Sequence, residues 1–359
     1  MLGRIAKTSV VSAPLVALMF FCFGNTGTEA QSGCPAYPAF PNASCTGYAP
    51  TGVTLTTYTG PNPVTVAGTV IDGKQINGNL TIQANNVTIR RSRILGGRID
   101  TGGGSTYTGI LIEDTEIDGA NRSGTLFSCL GDGGFTGRRL NIHGCAQGIQ
   151  ASNFTLQDSY IHDLYGESDW HSEAILGKYS TATRPVRIIH NELQGIYNSS
   201  STGGGMSSSV SFYTHGSFWG SQSAIWFEKN RLSTGESGLS QAWFCLYVGT
   251  DDPTNTLSNS TLVDNVFKRN ASTGKCGKDP VTVDTNGGGG NCASNNRYED
   301  GTAIPFGNLP ACSTSSSTPA APTGLRISKL LFNDFLLGLF VSPGRGSSHE
   351  QELVQRLPR

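Results

Sequence analysis

The 359-residue chain is poor in charge: Asp, Glu, Lys and Arg make up 14% of it, against roughly 25% in an average soluble protein. Its formal net charge of −1 supplies no basic field of the kind that draws nucleic acid or an anionic membrane. Hydrophobic residues amount to only 36%, which argues against a helical core. No Cys-x-x-Cys sequence occurs, so a zinc ribbon or a thioredoxin-type site has no support. The glycine runs at 102–104, 203–205 and 287–290 lack the strand-to-helix setting of a phosphate-binding loop and read as turns. The 47 glycines show no Gly-X-Y period, which excludes a collagen helix. What the chain does have is Gly, Ser, Thr and Asn in abundance, the make-up of an extracellular all-β protein.

The N-terminus begins with Arg4 and Lys7, continues as an apolar run from Val10 to Phe23, and reaches small residues ending at Ala30. Positive charge, apolar stretch and small residues in that order predict a secretory signal over 1–30, and the run is short for a membrane span. Of the 9 cysteines, Cys22 falls in that segment and Cys34, Cys45, Cys129, Cys145, Cys245, Cys276, Cys292 and Cys312 remain. An even number fits disulfides formed in an oxidising compartment. Spacing alone does not pair them, beyond Cys34–Cys45 as the local expectation. Asn-x-Ser/Thr sequences such as those at Asn42, Asn121 and Asn198 offer glycan acceptors.

One phrase recurs through the middle of the chain. It reads VTIRRSRI at 87–94, ILIEDTEI at 110–117, FTGRRLNI at 135–142 and FTLQDSYI at 154–161. It continues as VRIIHNEL at 186–193, IWFEKNRL at 225–232, STLVDNVF at 260–267 and NCASNNRY at 291–298. Alternating apolar residues give a strand with one buried face. A polar pair and a small Asn, Ser or Thr then turn the chain, since Asn tolerates a left-handed backbone and caps its own turn. Ser92, Thr115, Ser159, Asn191, Asn230, Asn265 and Asn296 share one phase and are expected to stack as a ladder. Such a unit builds a parallel β-solenoid, with longer spacings marking loops inserted between coils. The predicted fold class is all-β, a right-handed parallel β-helix over 61–312. An N-terminal cap segment is expected at 31–60, a Ser/Thr/Pro linker at 313–323 and a tail of unassigned role at 324–359.

Chemistry concentrates between Ser159 and Tyr179, where His162, Asp163, Tyr165, Glu167, Asp169, His171, Glu173 and Lys178 fall close together. The repeats together with this stretch resemble the right-handed parallel β-helix superfamily of secreted polysaccharide-active proteins. Tyr165-Gly166-Glu167-Ser168-Asp169-Trp170-His171 is similar to the Tyr-Gly-x-Asp-Pro-His motif of mannuronan C5-epimerases, with one extra residue and Trp170 in place of Pro. The resemblance implies catalytic roles for Tyr165, Asp169 and His171. Lyases and epimerases of uronic-acid polymers both remove the C5 proton, which requires a neutralised carboxylate and a base of near-neutral pKa. His171 is the candidate base, Tyr165 the acid, Asp169 its orienting partner. Glu173 and Lys178 complete the expected catalytic group, with Lys178 or Arg184 holding the substrate carboxylate. His162, Tyr213, His215, Trp219 and Tyr247 are the further expected substrate contacts, the aromatics as sugar platforms. Trp226, inside a repeat strand, is expected in the core. Calcium is a possible cofactor through Asp163, Asp169 or Asp284. The expected partner is an extracellular polysaccharide, with no nucleic acid and no membrane. Two alternatives stand beside the lyase or epimerase reading: a polygalacturonase-like hydrolase, and a solenoid that binds carbohydrate without turning it over.

Overall fold

The computed structural model describes residues 33–102, 106–121, 128–165, 172–178, 180–196, 207–214, 220–235, 242–250 and 253–313. The signal segment, most of the linker and the tail lie outside them, as do Asp169, His171, His215 and Trp219. Among the described residues the chain coils into a right-handed parallel β-helix with three sheets of ten, nine and eight strands. A single connection sense is what the right-handed twist of the strands imposes on parallel crossovers. Each coil contributes one strand to each sheet in turn. Val70–Asp72 belongs to the nine-stranded sheet, Lys74–Asn77 to the ten-stranded and Leu80–Thr81 to the eight-stranded sheet.

The repeat phrase is the corner between the nine- and ten-stranded sheets. Its second polar residue adopts positive φ in every coil, as at Arg91 (46°), Asp114 (47°), Asp158 (50°), His190 (56°) and Asp264 (59°). The small residue that follows turns inward and is buried. The expected ladder forms. Asn191 donates from its backbone N–H and its Nδ2 to Asn230 Oδ1, at 3.0 and 2.9 Å. Asn230 does the same to Asn265 at 3.0 and 3.1 Å, and Asn265 to Asn296 at 3.1 and 2.9 Å. Each Asn Nδ2 also donates to a carbonyl of the preceding coil, as Asn230 does to Ile188 at 2.9 Å.

Leu140 breaks the ladder, and the same coil shows why it can. Gly137 stands where other coils place an apolar residue, and a Cβ built there would lie 2.8 Å from the Leu140 side chain. Leu140 therefore fills the space that the glycine leaves. Inward columns such as Ile94–Ile117–Ile142–Ile161–Leu193–Leu232 run in register through the ten-stranded sheet and are fully buried, each side chain contributing about 1.5–3 kcal/mol.

Residues 33–55 run along the flank of the coil, over the ladder corner. Gly47 donates to the Arg139 carbonyl at 2.8 Å, His190 Nε2 to Ala39 O at 2.9 Å, and Arg297 to the Tyr37 hydroxyl at 2.6 Å. Thr56–Thr57 then pairs with Lys74–Gln75 and extends the ten-stranded sheet by one edge strand, and Val64 bridges Ile82 further along the same end. Disulfides join Cys34–Cys45, Cys129–Cys145, Cys245–Cys276 and Cys292–Cys312, a set that fits an oxidising compartment. Among the described residues no helix is long and apolar enough to cross a membrane. Trp226 is not a core residue: Ile225 and Phe227 on either side are buried, and strand alternation turns the half-buried Trp226 outward, where its Nε1 donates to Glu228 at 2.7 Å.

Candidate functional site

The eight-stranded sheet carries the densest grouping of expected site residues. Its inward column is Ile99, Leu130, Ile149, Ile175, Val210 and Leu246. The alternate positions point away from the coil. One outward row runs Asp100, Gly131, Gln150, Leu176, Ser211 and Tyr247. Two residues further along, Lys178 follows Gly177 and so stands beside Tyr213, which pairs in register with Gly249 and through it with Asp284. The Tyr213 and Tyr247 ring centroids are 5.7 Å apart. A Cβ at Gly249 would lie 3.3 Å from both the Tyr247 ring and Asp284, so the glycine keeps a recess open between them. Lys178, Tyr213 and Tyr247 thus share one surface.

That surface also carries residues the sequence reading did not single out. Arg98 lies across Gly131, where a Cβ would come within 2.2 Å of its guanidinium. It reaches Asp100 at 3.8 Å and Asp132 at 4.0 Å. Asp132 sits inside a strand with φ 77°, a conformation non-glycine residues adopt at a cost. The Asp132 carboxyl is hydrogen-bonded to Asp100, whose pKa is lowered by that bond first, then by the Gly102 N–H and Arg98. Lys178 is held below its ordinary 10.5 by burial, with Arg98 adding to the fall and Asp132 opposing it. The surface is therefore two cations, two neighbouring carboxyls and two phenols. The signal in the sequence was Leu130-Gly-Asp-Gly-Gly134, a carboxylate set among glycines within a strand.

The remaining expected residues that fall among the described ones scatter. Glu173 is only 3% exposed. It lies two residues before the inward Ile175, so it faces the coil interior, where its Oε2 accepts from Gln147 at 3.0 Å. Burial pushes its pKa from 4.5 up to about 8. It cannot meet a polymer on the surface, which corrects the expectation that it joins the catalytic group. Tyr165 is half-buried at the corner after the ten-stranded sheet, its N–H donating to the Cys145 carbonyl at 2.8 Å. Arg184 closes a small bridge with Thr181 in the connection toward the nine-stranded sheet.

His162 belongs to the ten-stranded sheet, a different face. There it stacks on Tyr160 at 4.0 Å and on His143 at 5.1 Å, and approaches Asp163 at 2.7 Å and Asn141 at 2.8 Å. Burial holds His162 below its ordinary 6.5. Of the carboxylates named for calcium, Asp163 and Asp284 do not converge, since Asp163 follows a strand of the ten-stranded sheet and Asp284 ends one of the eight-stranded sheet, and Asp169 lies outside the described residues. A closer set is Glu116, Asp118 and His143, whose ligand atoms lie within 4.8 Å of one another. Arg93 already contacts both carboxylates, at 3.2 and 2.8 Å, and supplies the positive charge there. This face occupies the unspecified seventh position of each repeat, which the template leaves open. No protein-family model, no curated protein and no solved structure matches this chain.

Proposed function

We propose that the chain is a secreted polysaccharide-active enzyme that abstracts the C5 proton of a uronic-acid polymer lying across the eight-stranded face, as a lyase or a C5-epimerase. One observation carries the reading: Lys178 and Arg98 stand on that face beside the carboxyls of Asp100 and Asp132. In this reading the two cations neutralise the sugar carboxylate, which makes the neighbouring C5 proton acidic. Tyr213 and Tyr247 give the sugar ring an aromatic floor. His171 remains the candidate base and Tyr165 a second proton carrier, on the resemblance to the epimerase motif.

The test is incubation with polygalacturonate, alginate and glucuronan. A lyase gives an unsaturated, ultraviolet-absorbing product, and an epimerase gives a changed C5 configuration by proton NMR. Lys178→Ala and Arg98→Ala should each lower kcat/KM by about 100-fold. New reducing ends without unsaturation, or binding without any turnover, would refute the reading.

A further inference from the structure

We propose a second carbohydrate site, on the ten-stranded face beneath the N-terminal strap, that takes a neutral oligosaccharide. A groove of about 470 Å³ opens there, walled on one side by Pro38–Asn42 of the strap and floored on the other by outward residues of the coil. The volume is within the ordinary range for a small-molecule site, about 300–1,000 Å³.

The two sides differ in chemistry. The strap offers Pro38, Phe40 and Pro41, an apolar surface suited to the CH-rich face of a pyranose. The floor offers Tyr160, Gln194, Glu192, Arg231, Arg297 and Glu299, planar groups that donate to and accept from vicinal hydroxyls. These groups are pre-set. Glu192 is 2% exposed and accepts from Arg231 Nε at 2.5 Å and from Gln194 at 3.1 Å. Arg231 also reaches Glu299 at 3.2 Å and lies over the Phe40 ring at 5.4 Å, so one guanidinium ties floor to wall.

Two features select the ligand class. The floor sets Arg231 and Arg297 against Glu192 and Glu299, a balance that gives an acidic sugar no net attraction. Tyr160, Glu192, Arg231, Val266 and Arg297 also come from five successive coils in register. Parallel strands repeat at about 4.8 Å, close to the advance of one pyranose along an extended chain. The groove therefore presents equivalent positions at sugar spacing, which suits an oligosaccharide running along the coil axis. This site is independent of the reaction proposed above.

The experiment is isothermal titration of the whole protein with cellohexaose, mannohexaose and xylohexaose, and with trigalacturonate as the acidic control. At least one neutral hexasaccharide should bind, and Phe40→Ala and Gln194→Ala should each weaken it about tenfold. Lys178→Ala should leave that affinity unchanged, which separates this site from the eight-stranded face. Melting curves confirm that each variant is folded, and Gln194→Ala stands alone if Phe40→Ala is not. The proposal is overturned if no neutral hexasaccharide binds at about 10 mM, where even a weak site with a millimolar Kd would be mostly filled. It is equally overturned if binding ignores both groove variants, or if trigalacturonate is the ligand those variants lose.

Discussion

Replacing Glu173 by Gln removes one ionisable group from the interior of the coil while keeping its shape and its bond from Gln147. Burial raises the Glu173 pKa from 4.5 to about 8. Below about pH 4.5 the carboxyl is protonated in both the folded and the unfolded chain, and its stabilising contribution is complete. Above that, the unfolded chain releases the proton while the folded chain keeps it, so stability falls by about 1.4 kcal/mol for each pH unit. The loss ends near pH 8, where the folded group also ionises, and by then totals roughly 5 kcal/mol. Gln does not titrate, so the difference in stability between Glu173→Gln and the parent isolates this one group. Guanidinium unfolding followed by far-ultraviolet circular dichroism, at intervals between about pH 4.5 and 8, measures it. The variant should match the parent at the acid end and exceed it by several kcal/mol at the alkaline end. In thermal scans the gap is about 10 °C or more. A gap that stays constant across this window would show that the carboxyl is not buried in the manner described.

Two further outcomes follow from the corner of the coil. Asn230→Ala strips Asn191 of the acceptor for its buried backbone N–H and leaves the Ile188 carbonyl without its 2.9 Å donor, so it should cost about 3 kcal/mol in denaturant unfolding, and Asn296→Ala, at the end of the ladder, less. His190 faces two acceptors, Asp158 at 2.6 Å and the Ala39 carbonyl at 2.9 Å; burial opposes its charge and Lys229 adds to that, yet the two bonds and the Asp158 charge raise its pKa above 6.5. Its hold on the strap is therefore complete below pH 6.5 and lost as pH climbs through the raised value. Hydrogen exchange of the backbone amides over residues 36–47, normalised to a denatured control, should speed up over that climb, and His190→Gln should remove the pH dependence.

The architecture was legible because the ladder position keeps one phase through insertions of very different length. Asn191, Asn230, Asn265 and Asn296 announce the turn by residue type. Leu140 alone is opaque, since its meaning depends on Gly137 three residues earlier. The candidate site was legible in part. Residue density marks the stretch after Ser159, but side-chain direction depends on strand phase. Lys178 lies three residues after Ile175 and Glu173 two before it, so one faces out and the other in. Arg98 and Asp100 stand two residues apart in one coil, but Asp132 joins them only because the next coil stacks on it. The strap is least readable of all, because its bonds join residues as distant as Tyr37 and Arg297.

That last bond bears on the order of assembly. A solenoid can grow by adding each new turn to the one before it, using neighbours already made. The strap is synthesised ahead of every turn, yet it finds its seat only when Asp158, His190 and at length Arg297 exist to receive it. The first stretch of the described chain to emerge is thus the last to settle, and its docking reports that the whole stack behind it is complete.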